Sequence, residues 1–123
     1  MLASALHFAD NTFALDRYPE PEWITPVAVI VSWCVVTAIA LIALTRKRAD
    51  AVFFGTAGIY SLVLLSGLLH YAFGAPMHMA LRSNVTVLTE AVIGVALAGT
   101  LFLTGSRLLN SGRSYRGAEH TLP

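Results

Sequence analysis

Five side chains in this sequence could do chemistry: His7, Asp10, His70, His78 and Glu90. Glu90 is the strongest candidate, because it stands inside an apolar run. An ionisable group in a membrane-length segment is costly unless it is paired, protonated or facing water, which marks it for function by default. His70 closes a second apolar run. If the two runs are antiparallel neighbours, His70 and Glu90 lie at similar depth and can hydrogen-bond. A carboxylate beside an imidazole orients it for proton transfer, or for metal ligation through its other nitrogen. His7 and Asp10 stand three apart, a spacing that puts both on one side of a helix. His7, Asp10, His70 and Glu90 are therefore expected to gather into one cluster for a ligand or a partner. His78 sits between Met77 and Met79. Imidazole flanked by thioethers suits a soft cation, so copper is the metal this loop would take.

Each of these has a plainer alternative. Glu90 can be a protonated carboxyl that bonds a neighbouring helix as structural glue. His70 can anchor its helix at the headgroup level, and Met77 and Met79 can simply pack against lipid or protein. His120 falls in the polar C-terminal tail and reads as solvated.

The elements that must position these residues follow from the composition. Of 123 residues, 56% are hydrophobic and only 12% charged, against about a quarter charged in an ordinary soluble domain. Between Trp23 and Arg107 the only charges are Arg46, Lys47, Arg48, Asp50, Arg82 and Glu90. The runs between them are long enough to cross a bilayer as helices. The first span is expected at about 24–45, opened by Pro26 in a first turn that needs no proline N–H. The second is expected at about 51–73, stopped by Gly74 and Pro76. The third is expected at about 85–109, with Ser83 or Asn84 as its N-cap. The fold class expected is an all-α membrane protein, an antiparallel three-helix transmembrane bundle with an N-terminal interfacial helix.

Basic residues set the expected orientation. Arg46, Lys47 and Arg48 fill the first loop, and Arg107, Arg113 and Arg116 follow the third span. The other side holds only Arg17 and Arg82. The positive-inside rule then places the N-terminus outside and the C-terminus in the cytoplasm of a multi-pass protein of the inner (plasma) membrane. Three parts result: an outer interfacial segment 1–23, a transmembrane domain 24–109 and a cytoplasmic tail 110–123. Met1 to Ala14 lacks a basic start and carries His7 and Asp10, so it reads as a retained segment. As a helix it sets Leu2, Leu6, Ala9 and Phe13 on one face and His7 with Asp10 on another. Tyr18-Pro19-Glu20-Pro21-Glu22-Trp23 reads as a stiff extended link into the first span.

Several chemistries are set aside. Cys34 stands alone, so neither an internal disulfide nor a thiolate metal site is available. There is no Gly-rich phosphate loop, no nucleophile elbow, no His-Glu-x-x-His and no Cys-x-x-Cys. A net charge of +1 without a basic stripe argues against nucleic acid as a partner. The expected partners are the lipid bilayer and either further copies of the chain or a larger membrane complex. The small-residue pairs Gly94/Ala98 and Ala57/Ser61 are the expected contact faces.

The segments Leu6-His7-Phe8-Ala9-Asp10-Asn11, Tyr18-Pro19-Glu20-Pro21-Glu22-Trp23 and Gly67-Leu68-Leu69-His70-Tyr71 resemble those of small uncharacterised bacterial three-span integral membrane proteins. The resemblance covers residues 6 to about 95 and implies the span count without an activity or site residues. A looser similarity, in size and span count alone, is to three-span holins and to three-helix halves of membrane cyclases. Of two function classes that the residues leave open, the first is the one expected and the second its alternative. One is a non-catalytic subunit or accessory protein of a membrane complex, with the His/Glu/Asp cluster as structure or recognition surface. The other is a metal- or small-ligand-binding membrane protein or enzyme that uses the cluster.

Overall fold

A computed structural model describes the backbone of residues 1–18, 21–74 and 79–119, and the side chains of all of these except 17 and 112–119. Its elements are helical: α1 (Leu2–Phe13), a 3-10 turn (Leu15–Arg17), α2 (Pro26–Thr45), α3 (Ala51–Ser66), a second 3-10 turn (Gly67–Leu69), α4 (His70–Phe73) and α5 (Leu81–Glu119). Three stretches are long and apolar enough to cross a membrane: Pro26–Thr45, Ala51–Phe73 and Leu81–Ser111. The first two match the expected spans closely. α5 starts earlier than the expected 85 and runs on through the segment expected as a tail, to Glu119.

The helix starts follow from local chemistry. Thr25 caps α2 by accepting from the Ala28 N–H at 3.2 Å, directly before Pro26 at the first helical position. Asp50 caps α3 by accepting from the Phe53 N–H at 2.9 Å, and it pairs with Arg46 across the turn. Only residues 46–50 separate α2 from α3, a connection short enough to make the two spans antiparallel neighbours.

α3 packs against both α2 and α5. Val36 and Ala40 of α2 meet Tyr60 and Leu64 of α3, with Leu97 of α5 packed against them. The α3–α5 seam is tight at Gly94. The Ser61 hydroxyl donates to the Gly94 carbonyl at 2.9 Å. A Cβ on Gly94 would lie 3.0 Å from Leu64 Cβ, 3.1 Å from Leu65 Cγ and 3.2 Å from the Ser61 carbonyl. Gly94, Ala57 and Ser61, expected as a face for self-association, are buried within the chain instead, and only Ala98 stays exposed. The physical reason is that small residues draw the nearest helix in first, and here that helix belongs to the same chain. Gly94→Ala is accordingly expected to lower bundle stability by about 1–3 kcal/mol, the usual cost of overpacking a tight contact. Thermal unfolding in detergent reads this, and an unchanged midpoint would show that α3 and α5 can separate at no cost.

α1 is seated more deeply than an interfacial position requires. It packs against α2 and α5, and its contacts progress along the bundle. The Ser4 hydroxyl is 3.1 Å from the Tyr60 hydroxyl in the body of α3. Asn11 reaches His70 at the start of α4, about ten residues or ~15 Å farther along that span. Its amphipathicity is inside out. Ser4, His7 and Asn11 are buried, whereas Leu2, Leu6 and Phe13 are 75%, 56% and 88% exposed. A helix that turns its polar stripe to the protein and its apolar stripe outward is matched to surroundings of hydrocarbon, not water.

Candidate functional site

The polar stripe of α1 meets α4 and α5 in two adjoining groups. In the first, Asp10 is the hub. Its Oδ2 accepts from the Tyr18 hydroxyl and from the Ser83 hydroxyl, each at 2.7 Å, and its Oδ1 faces the Arg82 guanidinium. Burial pushes the Asp10 carboxyl up, but the Ser83 and Tyr18 bonds and the Arg82 charge outweigh it, and the net displacement is downward. Asp10 is therefore a stable anion that ties α1 to the start of α5 and to the link. Burial pushes the Tyr18 phenol up to about 12, opposed by Ser83 and Thr86 and aided by Asp10. Tyr18 thus remains a donor. Tyr18, Met79 and Val87 form a small apolar core beneath this latch, joined by Tyr71.

The second group holds His7, Asn11, His70 and Glu90. His7 Nε2 lies 3.7 Å from Glu90 Oε2, with side chains 4% and 1% exposed. The His7 ring centroid is 5.4 Å from that of His70, and the Tyr18 ring is 4.8 Å from His70. Asn11 Nδ2 and His70 Nε2 are 3.5 Å apart. Burial, reinforced by His70 and opposed only by Asp10, lowers His7 to about 4. His7 is neutral near pH 7, so its contact with Glu90 is not an ion pair. Among the described residues, neither Glu90 oxygen nor His7 Nδ1 has a hydrogen-bond partner. Buried polar groups are nearly always satisfied, and each exception calls for an explanation.

Gly67 makes this approach possible. A Cβ there would lie 3.4 Å from Glu90 Oε2 and 3.7 Å from His7 Nε2. The span tightens to a 3-10 turn at Gly67–Leu69 at this level, a local distortion that often marks a working position within a helix.

The group forms the polar floor of a cavity of about 690 Å³ between α1, α2 and the Ala51–Phe73 span. Ala28, Val31 and Val35 line one wall, and Val63, Leu69 and Phe73 the other. Val31, Val35, Leu69 and Phe73 are more than half exposed, so this is a crevice that opens sideways. Trp23 stands at its edge, 75% exposed. An apolar pocket with a few convergent polar groups is the usual form of a small-molecule site.

The expected four-residue cluster is thus real in space but divided: His7, His70 and Glu90 join the cavity, while Asp10 latches α1. The imidazole found beside Glu90 is that of His7, which the third span reaches because α1 lies against it. Met77 and His78 of the expected copper loop lie outside the described residues. Met79 is buried against Tyr18 and Val87. Among the described residues no three His, Cys, Asp or Glu side chains converge to hold a metal ion.

Sequence reasoning missed Asn11, Tyr18, Arg82 and Ser83. Two signals could have found them. Ser4, His7 and Asn11 repeat at helical spacing, which defines a polar stripe that needs a partner. Arg82 is one of only two bases on the side that also holds Asp10. Comparison with protein families, with curated proteins and with solved structures found no match to this chain.

Proposed function

We propose that this chain is a multi-pass plasma-membrane protein that binds a small amphipathic molecule in the crevice between α1, α2 and α3. The ligand's apolar body lies along Val31, Val35 and Val63, and its polar head docks on Glu90, His7 and His70. The observation that carries this reading is the conjunction of a buried carboxyl lacking any hydrogen bond with an apolar cavity that ends on it. A carboxyl serving as structural glue would be bonded to a neighbouring helix, and among the described residues Glu90 has no such partner. The cluster reads as a binding site without assigned chemistry. Arg46, Lys47, Arg48 and Arg107 all stand at the bundle end opposite α1, which favours an N-terminus outside and a cytoplasmic C-terminus. The crevice then opens to the outer leaflet.

A second reading, a subunit of a homo-oligomer or larger membrane complex, is favoured by how little of the spans is covered. The most apolar windows are only 22%, 28% and 22% buried within the chain. Both readings meet in native mass spectrometry of the mildly extracted protein. The proposal expects a mass above that of the chain, lost in His70→Ala and in Ser32→Trp, which fills the crevice from α2. A bare chain mass, or a bound mass that survives Ser32→Trp, would refute it. A stable multiple of the chain would favour the subunit reading.

A further inference from the structure

Resting on the crevice reading, we propose that the head group bound there is an ammonium: the ligand is a lipophilic amine or related organic cation, not a neutral alcohol, a carboxylate or a phosphate ester.

Charge complementarity carries the choice. Among the described residues, the cavity is lined by one carboxyl, Glu90, and by no lysine or arginine. A phosphate or carboxylate head would meet no cationic partner and would face Glu90 directly. That juxtaposition in a low-dielectric site is strongly unfavourable. The titratable neighbours do not change this. His7 is neutral near pH 7, because burial and then His70 hold it down at about 4. The Met1 α-ammonium makes no hydrogen bond to Glu90, and among the described residues both Glu90 oxygens lack a hydrogen-bond partner.

The open positions match an ammonium in kind and number. An ionised carboxylate only accepts, and an ammonium only donates, with three N–H groups to place. Two can go to Glu90, where a charge-assisted bond is about twice as strong as a neutral one. For the third, His7 lines the same cavity and its Nδ1 also lacks a partner, and a neutral imidazole offers one ring nitrogen as an acceptor. A hydroxyl head has one proton to give and leaves at least one of these acceptors unmet. Phe8, Trp23 and Phe73 line the same cavity, and aromatic faces attract cations further. The remaining walls are aliphatic, as an alkyl or aryl body requires.

The experiment uses the full chain in phosphatidylcholine nanodiscs, with Trp33→Phe introduced so that Trp23 is the only tryptophan. Quenching of Trp23 is titrated with three probes of equal chain length: a terminally brominated alkylammonium, the matching alcohol and the matching carboxylate. The expected result is saturable quenching by the ammonium probe, at a concentration at least ten-fold lower than the alcohol needs, with the carboxylate weakest. An unbrominated alkylammonium should reverse it, and Glu90→Gln should erase the ten-fold preference. Saturable quenching in which the alcohol or carboxylate matches the ammonium overturns the ammonium assignment and leaves the crevice reading standing. Linear, unsaturable quenching by all three probes overturns both, since it reports only partition into the bilayer. The comparison of probes on the chain with native Glu90 decides the assignment even where Glu90→Gln proves poorly folded.

Discussion

Glu90→Leu is expected to make the bundle more stable, by about 1–3 kcal/mol, while abolishing ligand binding. The reason is an asymmetry in how polar groups act inside a fold. A buried polar group left without a partner costs about 1–3 kcal/mol, and both Glu90 oxygens are in that condition at 1% exposure. Removing them takes away a penalty and breaks no hydrogen bond. The new side chain faces Gly67, on which an added Cβ would lie 3.4 Å from Glu90 Oε2. Some overpacking there offsets part of the gain. If the carboxyl were structural glue, the same change would instead cost several kcal/mol and loosen α1. Thermal unfolding beside an affinity measurement separates the cases. Higher stability with lost binding is the signature of a site maintained at the expense of the fold. A destabilised bundle would sink this account of Glu90.

The second large effect is expected at Asp10. Asp10→Ala removes the acceptor for Tyr18 and Ser83 and the partner of Arg82. Hydrogen bonds to a charged group contribute about 1.5–3 kcal/mol each, whereas the Arg82 pair adds little because that guanidinium is 63% exposed. A loss of roughly 3 kcal/mol is expected to loosen α1, because these bonds tie it to the start of α5 and to the link. Amide hydrogen exchange should then rise along residues 2–13 and stay unchanged in α2 and α3. Exchange that remains slow in α1 would mean that apolar contacts alone seat the helix.

Acid should mimic this release in two windows. His7 is held at about 4 in the fold against 6.5 in the open chain. Its depressed value means that stability is full above 6.5 and is lost as pH falls from there toward 4. The Asp10 carboxyl is also held below its ordinary 3.8. Its contribution is full above 3.8 and is lost only as pH falls below that. Loosening of α1 should therefore begin near pH 6 through His7 and finish in stronger acid through Asp10.

How much of this was legible in the sequence depends on the kind of interaction. The spans were legible because hydrocarbon imposes a length and a polarity on any helix that crosses it. Pro26 then marked the start of α2 through chemistry confined to one turn, whereas Ser83 and Asn84, expected to cap the third span, lie inside α5, which starts at Leu81. Glu90 and His70 were legible as polar groups in need of neighbours, because burial of such groups is costly wherever those neighbours lie. The pairing inside the site was not legible. Whether His7 or His70 stands beside Glu90 depends on how deeply α1 descends between α2 and α5, and that is a tertiary contact with no local signature. The same holds for Tyr18, which lies in a proline-rich link and becomes a core residue only because Met79 and Val87 close over it. Gly94 shows the converse error. Small residues at helical spacing announce a close helix contact, but not whether the partner helix belongs to the same chain.

The central claim is that a ligand lies in the crevice with its head on Glu90, and photocrosslinking tests it most directly. An alkylammonium carrying a diazirine on its chain would be equilibrated with the protein in nanodiscs, irradiated, and the labelled residues mapped by mass spectrometry. The account predicts labels concentrated on Val31, Val35 and Val63, suppressed by excess unlabelled amine and absent in Glu90→Leu. Labels spread over Val92, Val95 and Phe102, which face outward on α5 away from the crevice lining, and unaltered in Glu90→Leu would contradict it.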